Sequence, residues 1–232
     1  MTPAATRLGV SLTAVQLSGV DLARAPMLND AERDRANAFR FPAQRNRFIA
    51  GRIAMRLHIS ALTGDDPRDI KASYVCPSCP NQSSKGHGSP RYHVPSRTGP
   101  VRASLSRSGD WCLLAATLND KITIGVDLEK RDSADFDGFP EVAMTARERS
   151  RLRDVPPASR SEFMTRIWVR KEASLKALGT GLAMAPSRVD VSDAIPKVVG
   201  GPTTPGHWQL EDTNPTSVGL PNDFFAAFSV RR

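Results

Sequence analysis

Apolar positions recur along this chain with two different periods, and the switches between them mark out its elements. Residues 10–17 alternate weakly between apolar and polar, the period of a half-buried strand. Ile49, Ile53 and Leu57 recur every four residues and Phe48, Met55 and Leu62 every seven, which predicts a long helix with one broad apolar face. Pro42 suits the first turn of that helix and Gly64 its end. Arg45, Arg47, Arg52 and Arg56 should give it a basic flank, with His58 at the surface among them. Ahead of it, Asn29 stands three residues before Glu32, the spacing of a capping side chain and its reciprocal glutamate.

Residues 76–100 are rich in Pro, Gly and Ser and predict a loop or a set of tight turns. Residues 111–117 and 121–128 read as strands, with Asn119-Asp120 as a hairpin turn between them and Trp111 and Cys112 in the core. Residues 141–153 and 159–178 read as helices, the second stopped by Gly179-Thr180-Gly181. Short strands near 188–191, 207–211 and 224–230 follow, and Arg231-Arg232 reads as a solvated tail. Helices and antiparallel strands occur in each half, so the expected class is α+β. A division near residue 119 gives halves of similar size, 1–119 and 120–232.

Composition narrows the class. With 232 residues, 40% hydrophobic and 24% charged, the chain reads as an ordinary soluble globular protein of one large domain or two small ones. No apolar run approaches the ~18 residues of a membrane span, and the first nine residues hold no signal-like apolar stretch. The expectation is a cytoplasmic protein without a membrane partner. Three cysteines do not read as a disulfide framework. Cys76-x-x-Cys79 with His87 and His93 is a possible zinc half-site, but its spacing leaves no room for a finger helix, so no structural zinc is expected. The net charge of +8 attracts an anion: nucleic acid, a phosphorylated small molecule or an acidic protein.

Two stretches carry chemistry. In Gly125-Val126-Asp127-Leu128-Glu129, strand alternation points Asp127 and Glu129 to one side while Val126 and Leu128 face the core. Paired carboxylates repel unless a cation lies between them, and hard oxygen ligands suit Mg²⁺. Gly125 would let a ligand come close to the backbone. In Trp168-Val169-Arg170-Lys171-Glu172-Ala173-Ser174-Leu175-Lys176, helical spacing by four aligns Trp168, Glu172 and Lys176. Glu172 could complete a metal site or take a proton, and Lys171 or Lys176 could meet a phosphate as a point charge.

Together, Asp127-x-Glu129 and Trp168-x-x-Lys171-Glu172-x-x-x-Lys176 resemble the paired signature of the 4′-phosphopantetheinyl transferases, and the length resembles the Sfp-type branch. Phe39-Arg40-Phe41-Pro42 with Arg47, Gly51 and Arg52 is similar to that branch's coenzyme A segment. Gly86-His87-Gly88-Ser89-Pro90 resembles its Gly-Lys-Pro turn, with Ser89 for lysine. Ser104-Leu105-Ser106-Arg107-Ser108 resembles its Asn-x-Ser-His-Ser segment, with Arg107 for histidine. Arginine at that position keeps a positive charge and can bind phosphate in a bidentate manner.

The resemblance implies a pseudo-twofold pair of similar subdomains, each a small antiparallel sheet packed with helices, with coenzyme A in the cleft between them. It implies a monomer that moves the phosphopantetheine arm of coenzyme A onto a serine of an acyl or peptidyl carrier protein, releasing 3′,5′-ADP. Asp127, Glu129 and Glu172 would hold Mg²⁺. Glu172, directly or through a metal-bound water, would deprotonate the serine, and Lys176 would stabilise or protonate the leaving oxygen. Arg47, Arg52, His87, Ser89, Pro90, Ser106 and Arg107, with Asp127, Lys171 and Lys176, would contact coenzyme A. Trp168 would fix its helix against the strand. The rival class is a basic, zinc-organised nucleic-acid-binding module. It leaves the three acids unexplained, and aromatic residues are only 6% of the chain, few for base stacking.

Overall fold

The computed structural model describes residues 5–75, 88–200 and 206–232. The chain is α+β and divides into two compact units, Met1–Asp120 and Lys121–Arg232.

The first unit contains β1 (Ala5–Arg7), β2 (Val10–Gln16), α1 (Asp30–Asn37), α2 (Pro42–Thr63), β3 (Lys71–Val75), β4 (Ser89–His93), β5 (Val101–Ser108) and β6 (Trp111–Thr117). Its strands form one antiparallel sheet in the order β1-β2-β6-β5-β4-β3. Val101, Ala103, Cys112, Leu114 and Ala116 pack with Ala50, Ala54, Met55 and Ile59 of α2 into one core. Pro42 opens α2 and Gly64 closes it at φ 81°, a left-handed conformation that glycine adopts without steric cost.

The basic flank expected of α2 is only partly there. Arg56 and His58 are buried. Arg56 donates from Nη2 to Glu32 Oε2 at 2.6 Å and from Nη1 to Glu32 Oε1 at 3.2 Å, while Tyr74 OH donates to Glu32 Oε1 at 2.8 Å. Glu32 also closes the capping box with Asn29 that opens α1. A charge can be buried this deeply only because it is paired and hydrogen-bonded. His58 lies with Nε2 3.3 Å from the Ser11 carbonyl. The Gly/Pro-rich stretch is not all loop: residues 89–93 form β4, paired with both β3 and β5.

The second unit contains β7 (Thr123–Lys130), α3 (Phe139–Ala143), α4 (Ala146–Asp154), α5 (Arg160–Leu178), β8 (Val189–Asp190), β9 (Lys197–Val198), β10 (Trp208–Thr213) and β11 (Phe224–Arg231). Helix α5 packs on an antiparallel sheet of order β10-β11-β7, and β8 pairs with β9 separately. Two expectations change here. Strands β6 and β7 share no hairpin: β6 pairs with β2 and β5, whereas β7 pairs with β11 along its whole length. The helix expected over residues 141–153 breaks at Met144, which is extended at ψ 141°, because Thr145 caps a new helix reciprocally with Glu148. The C-terminal arginines are not simply a tail, since Arg231 ends β11 with its guanidinium 5.6 Å from the Trp208 ring centre. Among the described residues no helix is long and apolar enough to cross a membrane.

Candidate active site

Helix α5 lies directly on β7 at Gly125. A Cβ there would stand 1.9 Å from the Ala173 carbonyl oxygen and 2.6 Å from the Ala177 nitrogen. Glycine at this position therefore admits the backbone of α5, not a ligand as its neighbourhood suggested. The close approach sets the last turns of α5 over the carboxylates of β7. Lys176 Nζ is 2.6 Å from Asp127 Oδ1, donates to the Val126 carbonyl at 3.1 Å, and lies 4.0 Å from Glu172 Oε2. Side-chain exposure rises from 3% at Asp127 through 14% at Glu172 to 26% at Lys176, so the group opens to solvent on its lysine side.

Glu172 is held in an unfavourable place for a charge. Its Oε1 is buried with no hydrogen-bond partner among the described residues. Burial raises its pKa above the usual carboxylate value, Lys176 opposes the shift, and the charges of Asp127 and Glu129 add to it. A cation would relieve this arrangement, and an unsatisfied oxygen beside two further acids fits a hard divalent ion. Asp127, Glu129 and Glu172 are the residues that would hold it. Among the described residues no three acidic, histidine or cysteine side chains are already gathered into a ready metal cluster. Lys176 pairs with one of the two Asp127 oxygens, Oδ1, at 2.6 Å.

Trp168, at the start of the same stripe, makes its ring contact outside the sheet. It meets Phe139 of α3 edge to face at 5.9 Å, and Phe139 in turn meets Phe136 at 5.4 Å.

Lys171, expected to contact phosphate, lies elsewhere on the helix. It is fully buried on another face of α5, 2.7 Å from the equally buried Glu148, and donates to the carbonyls of Pro186 and Val189. Glu148 also accepts from Thr145 N at 2.7 Å and Val191 N at 2.8 Å. One ion pair thus ties α4, α5 and β8 together and fixes the rotation of α5. Sequence reading passed over Glu148, although Thr145-x-x-Glu148 is a capping-box signal.

In the first unit, Arg47 and Arg107 line a cavity of ≈ 210 Å³ with Phe39, Gln44 and Gly109. The stem of Arg107 packs on Gly51, where an added Cβ would meet its Cδ at 3.5 Å. The Phe48 ring lies between Arg107, at 5.6 Å, and Arg52, at 5.0 Å. Desolvation first, then the charges of Arg52, Arg35 and Arg47, hold the Arg107 pKa below the usual arginine value. A guanidinium so crowded by its own kind gains from an anionic partner. Arg52 is drawn the other way: it is 12% exposed, over Tyr74 and 4.0 Å from Glu32, and does not line the cavity.

The remaining expected contacts are not gathered there. Ser106 is buried on β5 opposite Leu113 and, by strand alternation, faces away from Arg107. Ser89 and Pro90 open β4, paired with Val75 and Tyr74, and are not in the lining. His93 meets Ser73 Oγ at 3.0 Å across that pair. Cys76, Cys79 and His87 lie outside the described residues.

A helix-backed antiparallel sheet thus presents two strand carboxylates to a Glu and a Lys of the covering helix. Residues 123–228, which hold that whole arrangement, match the family model of the 4′-phosphopantetheinyl transferase superfamily. The chain is 32% identical over 160 residues to the 4′-phosphopantetheinyl transferase HetI of Nostoc sp., covering 68% of this chain and 62% of that protein. It is 27% identical over 173 residues to a phosphopantetheinyl transferase of Thraustochytrium sp., covering 69% of this chain and 56% of that one. The chain thus spans about six-tenths of the length of these relatives. A holo-(acyl-carrier-protein) synthase from Bacillus anthracis, solved in complex with CoA, aligns at 22% identity and TM-score 0.39 over 47% of this chain and 94% of that one, a likeness too remote to carry an argument.

Proposed function

We propose that this protein is a cytoplasmic, monomeric 4′-phosphopantetheinyl transferase that moves the arm of coenzyme A onto a serine of an acyl or peptidyl carrier protein. The observation that carries the reading is the meeting of Asp127 with Glu172 and Lys176 inside the family-matched segment. Mg²⁺ held by Asp127, Glu129 and Glu172 would supply charge neutralisation at the pyrophosphate. The serine Oγ attacks the phosphorus that carries the pantetheine arm, and the bond from that phosphorus to the nucleotide-side oxygen breaks. Glu172 accepts the serine proton. Lys176, the most solvent-accessible of the three, stabilises the departing 3′,5′-ADP oxygen. Arg47 and Arg107 take nucleotide phosphate as bidentate donors. Lys171 has no part in binding and acts through the orientation of α5.

The test is the intact mass of an apo carrier protein incubated with this protein, coenzyme A and Mg²⁺. A gain of one phosphopantetheine on the carrier serine is expected. An unmodified carrier with wild-type protein, beside tight and steeply salt-dependent binding to random DNA, would favour a nucleic-acid-binding module instead.

A further inference from the structure

Of the described histidines, His93 and His207 are exposed, whereas His58, in the second half of α2, is buried at 2% exposure. Its Nε2 lies 3.3 Å from the Ser11 carbonyl of β2. A carbonyl oxygen only accepts, so the bond calls for a hydrogen on Nε2, which the neutral ring supplies. The surroundings offer a second proton no counter-charge. Ser11 and Thr13 share the β2 face of Ala116 and Leu114, the face that packs on α2. Their hydroxyls are buried without hydrogen-bond partners among the described residues and bring no negative charge. The charged side chains of the neighbouring elements are engaged elsewhere. Arg56 of α2 pairs with Glu32 of α1, and the other charges of α1, Asp30, Arg33, Asp34 and Arg35, are exposed. Arg24 pairs with Asp21, Arg102 of β5 donates to the Asp120 carbonyl, and Arg107 lies against Phe48 and Gly51. Burial holds the His58 pKa below the ordinary histidine value, and only the Ser11 carbonyl opposes that shift.

We propose that His58 is an acid-sensitive latch between α2 and β2: neutral, it holds the helix on the sheet, and the demand for a proton in mild acid opens that contact. A charged imidazolium buried without an anion is costly, so the ring takes its proton by leaving the contact. The size of the effect follows from linkage. A histidine that protonates near the ordinary value of about 6.5 when open, and stays neutral when closed, favours opening by about tenfold one pH unit below that value. The consequence falls on the basic cavity of the first unit. Helix α2 carries Gln44 and Arg47 into its lining, and Gly51 of α2 supports the stem of Arg107. Opening α2 therefore dismantles that cavity in mild acid.

Hydrogen exchange, corrected for intrinsic rates, reads the opening of α2 and β2 at about pH 7.5 and about pH 5.5. His58→Gln keeps an N–H donor for the Ser11 carbonyl and does not titrate. His93 and His207 remain in both proteins and cancel in the comparison. Between the two pH values the opening constant should rise about tenfold more in wild type than in the variant. An equal rise in both would overturn the latch. A second measurement needs no variant. By NMR, the His58 ring of wild-type protein should stay neutral at about pH 5.5 for as long as the contact is closed. A ring that takes a proton there, in a protein whose α2 opens no more than at about pH 7.5, would overturn it as well.

Discussion

Glu172 sits where burial and two neighbouring carboxylates favour its neutral form and only Lys176 favours the charged one. A carboxyl whose pKa is raised on folding stabilises the fold below its unfolded pKa, and that contribution is lost as pH rises through the folded value. Ionisation of Glu172 therefore weakens the metal-free protein. Glu172→Gln should raise its melting temperature at pH 7, and the gain should shrink as pH falls through the carboxylate range. The same change should lower kcat by about 10²-fold or more, because it removes both a proton acceptor and an ion ligand. Thermal melts across pH, set beside turnover, check both signs; a variant destabilised at every pH would contradict the assignment. Arg107 gives a second test at this scale. Arg107→Met keeps the stem packed on Gly51 and removes the charge. Coenzyme A affinity should fall about tenfold, the worth of a charge-assisted hydrogen bond. Dephospho-coenzyme A should lose much less if the 3′-phosphate is the target, and equal losses by calorimetry would reject that target.

At the scale of elements, the carboxylate strand and its helix were both legible, because each carries its own pattern: Asp127 and Glu129 alternate on β7, and Glu172 and Lys176 recur by four on α5. The capping box at Asn29, the proline start and glycine stop of α2, and residues 111–117 as β6 were legible for the same local reason. What was not legible depends on partners distant in sequence. Nothing near residue 119 says that β7 pairs with β11 and not with β6. Nothing near Lys171 says that Glu148 waits for it, so the buried pair was not legible. Arg56 read as surface charge because its partner lies 24 residues earlier. The burial of Lys171 makes a sharp prediction. Lys171→Met leaves Glu148 buried without its cation and should cost about 3–5 kcal/mol in stability. Adding Glu148→Gln should recover much of that loss. Denaturant melts of the single and double variants measure it; a fully stable Lys171→Met protein with weakened coenzyme A binding would restore the phosphate role.

For the whole molecule, the proposed function gives the eight-charge positive excess a bearing on how a carrier protein would be found. Complementary potentials raise the rate of encounter more than they deepen final affinity. If the carrier presents an acidic surface, kcat/KM for it should fall across a salt series at saturating coenzyme A while kcat stays level, since screening reaches only about 8 Å at 0.15 M salt. A flat profile would assign recognition to apolar contacts. The central claim, that the acids of β7 and α5 carry out metal-dependent phosphopantetheine transfer, is tested most directly by counting both products of one reaction. Wild-type protein with coenzyme A, apo carrier and Mg²⁺ should release 3′,5′-ADP in equal amount to the holo carrier formed, and chelation of the metal or Asp127→Asn should abolish both together. Undiminished holo carrier from the folded Asp127→Asn protein, or 3′,5′-ADP released without carrier modification, would contradict the account.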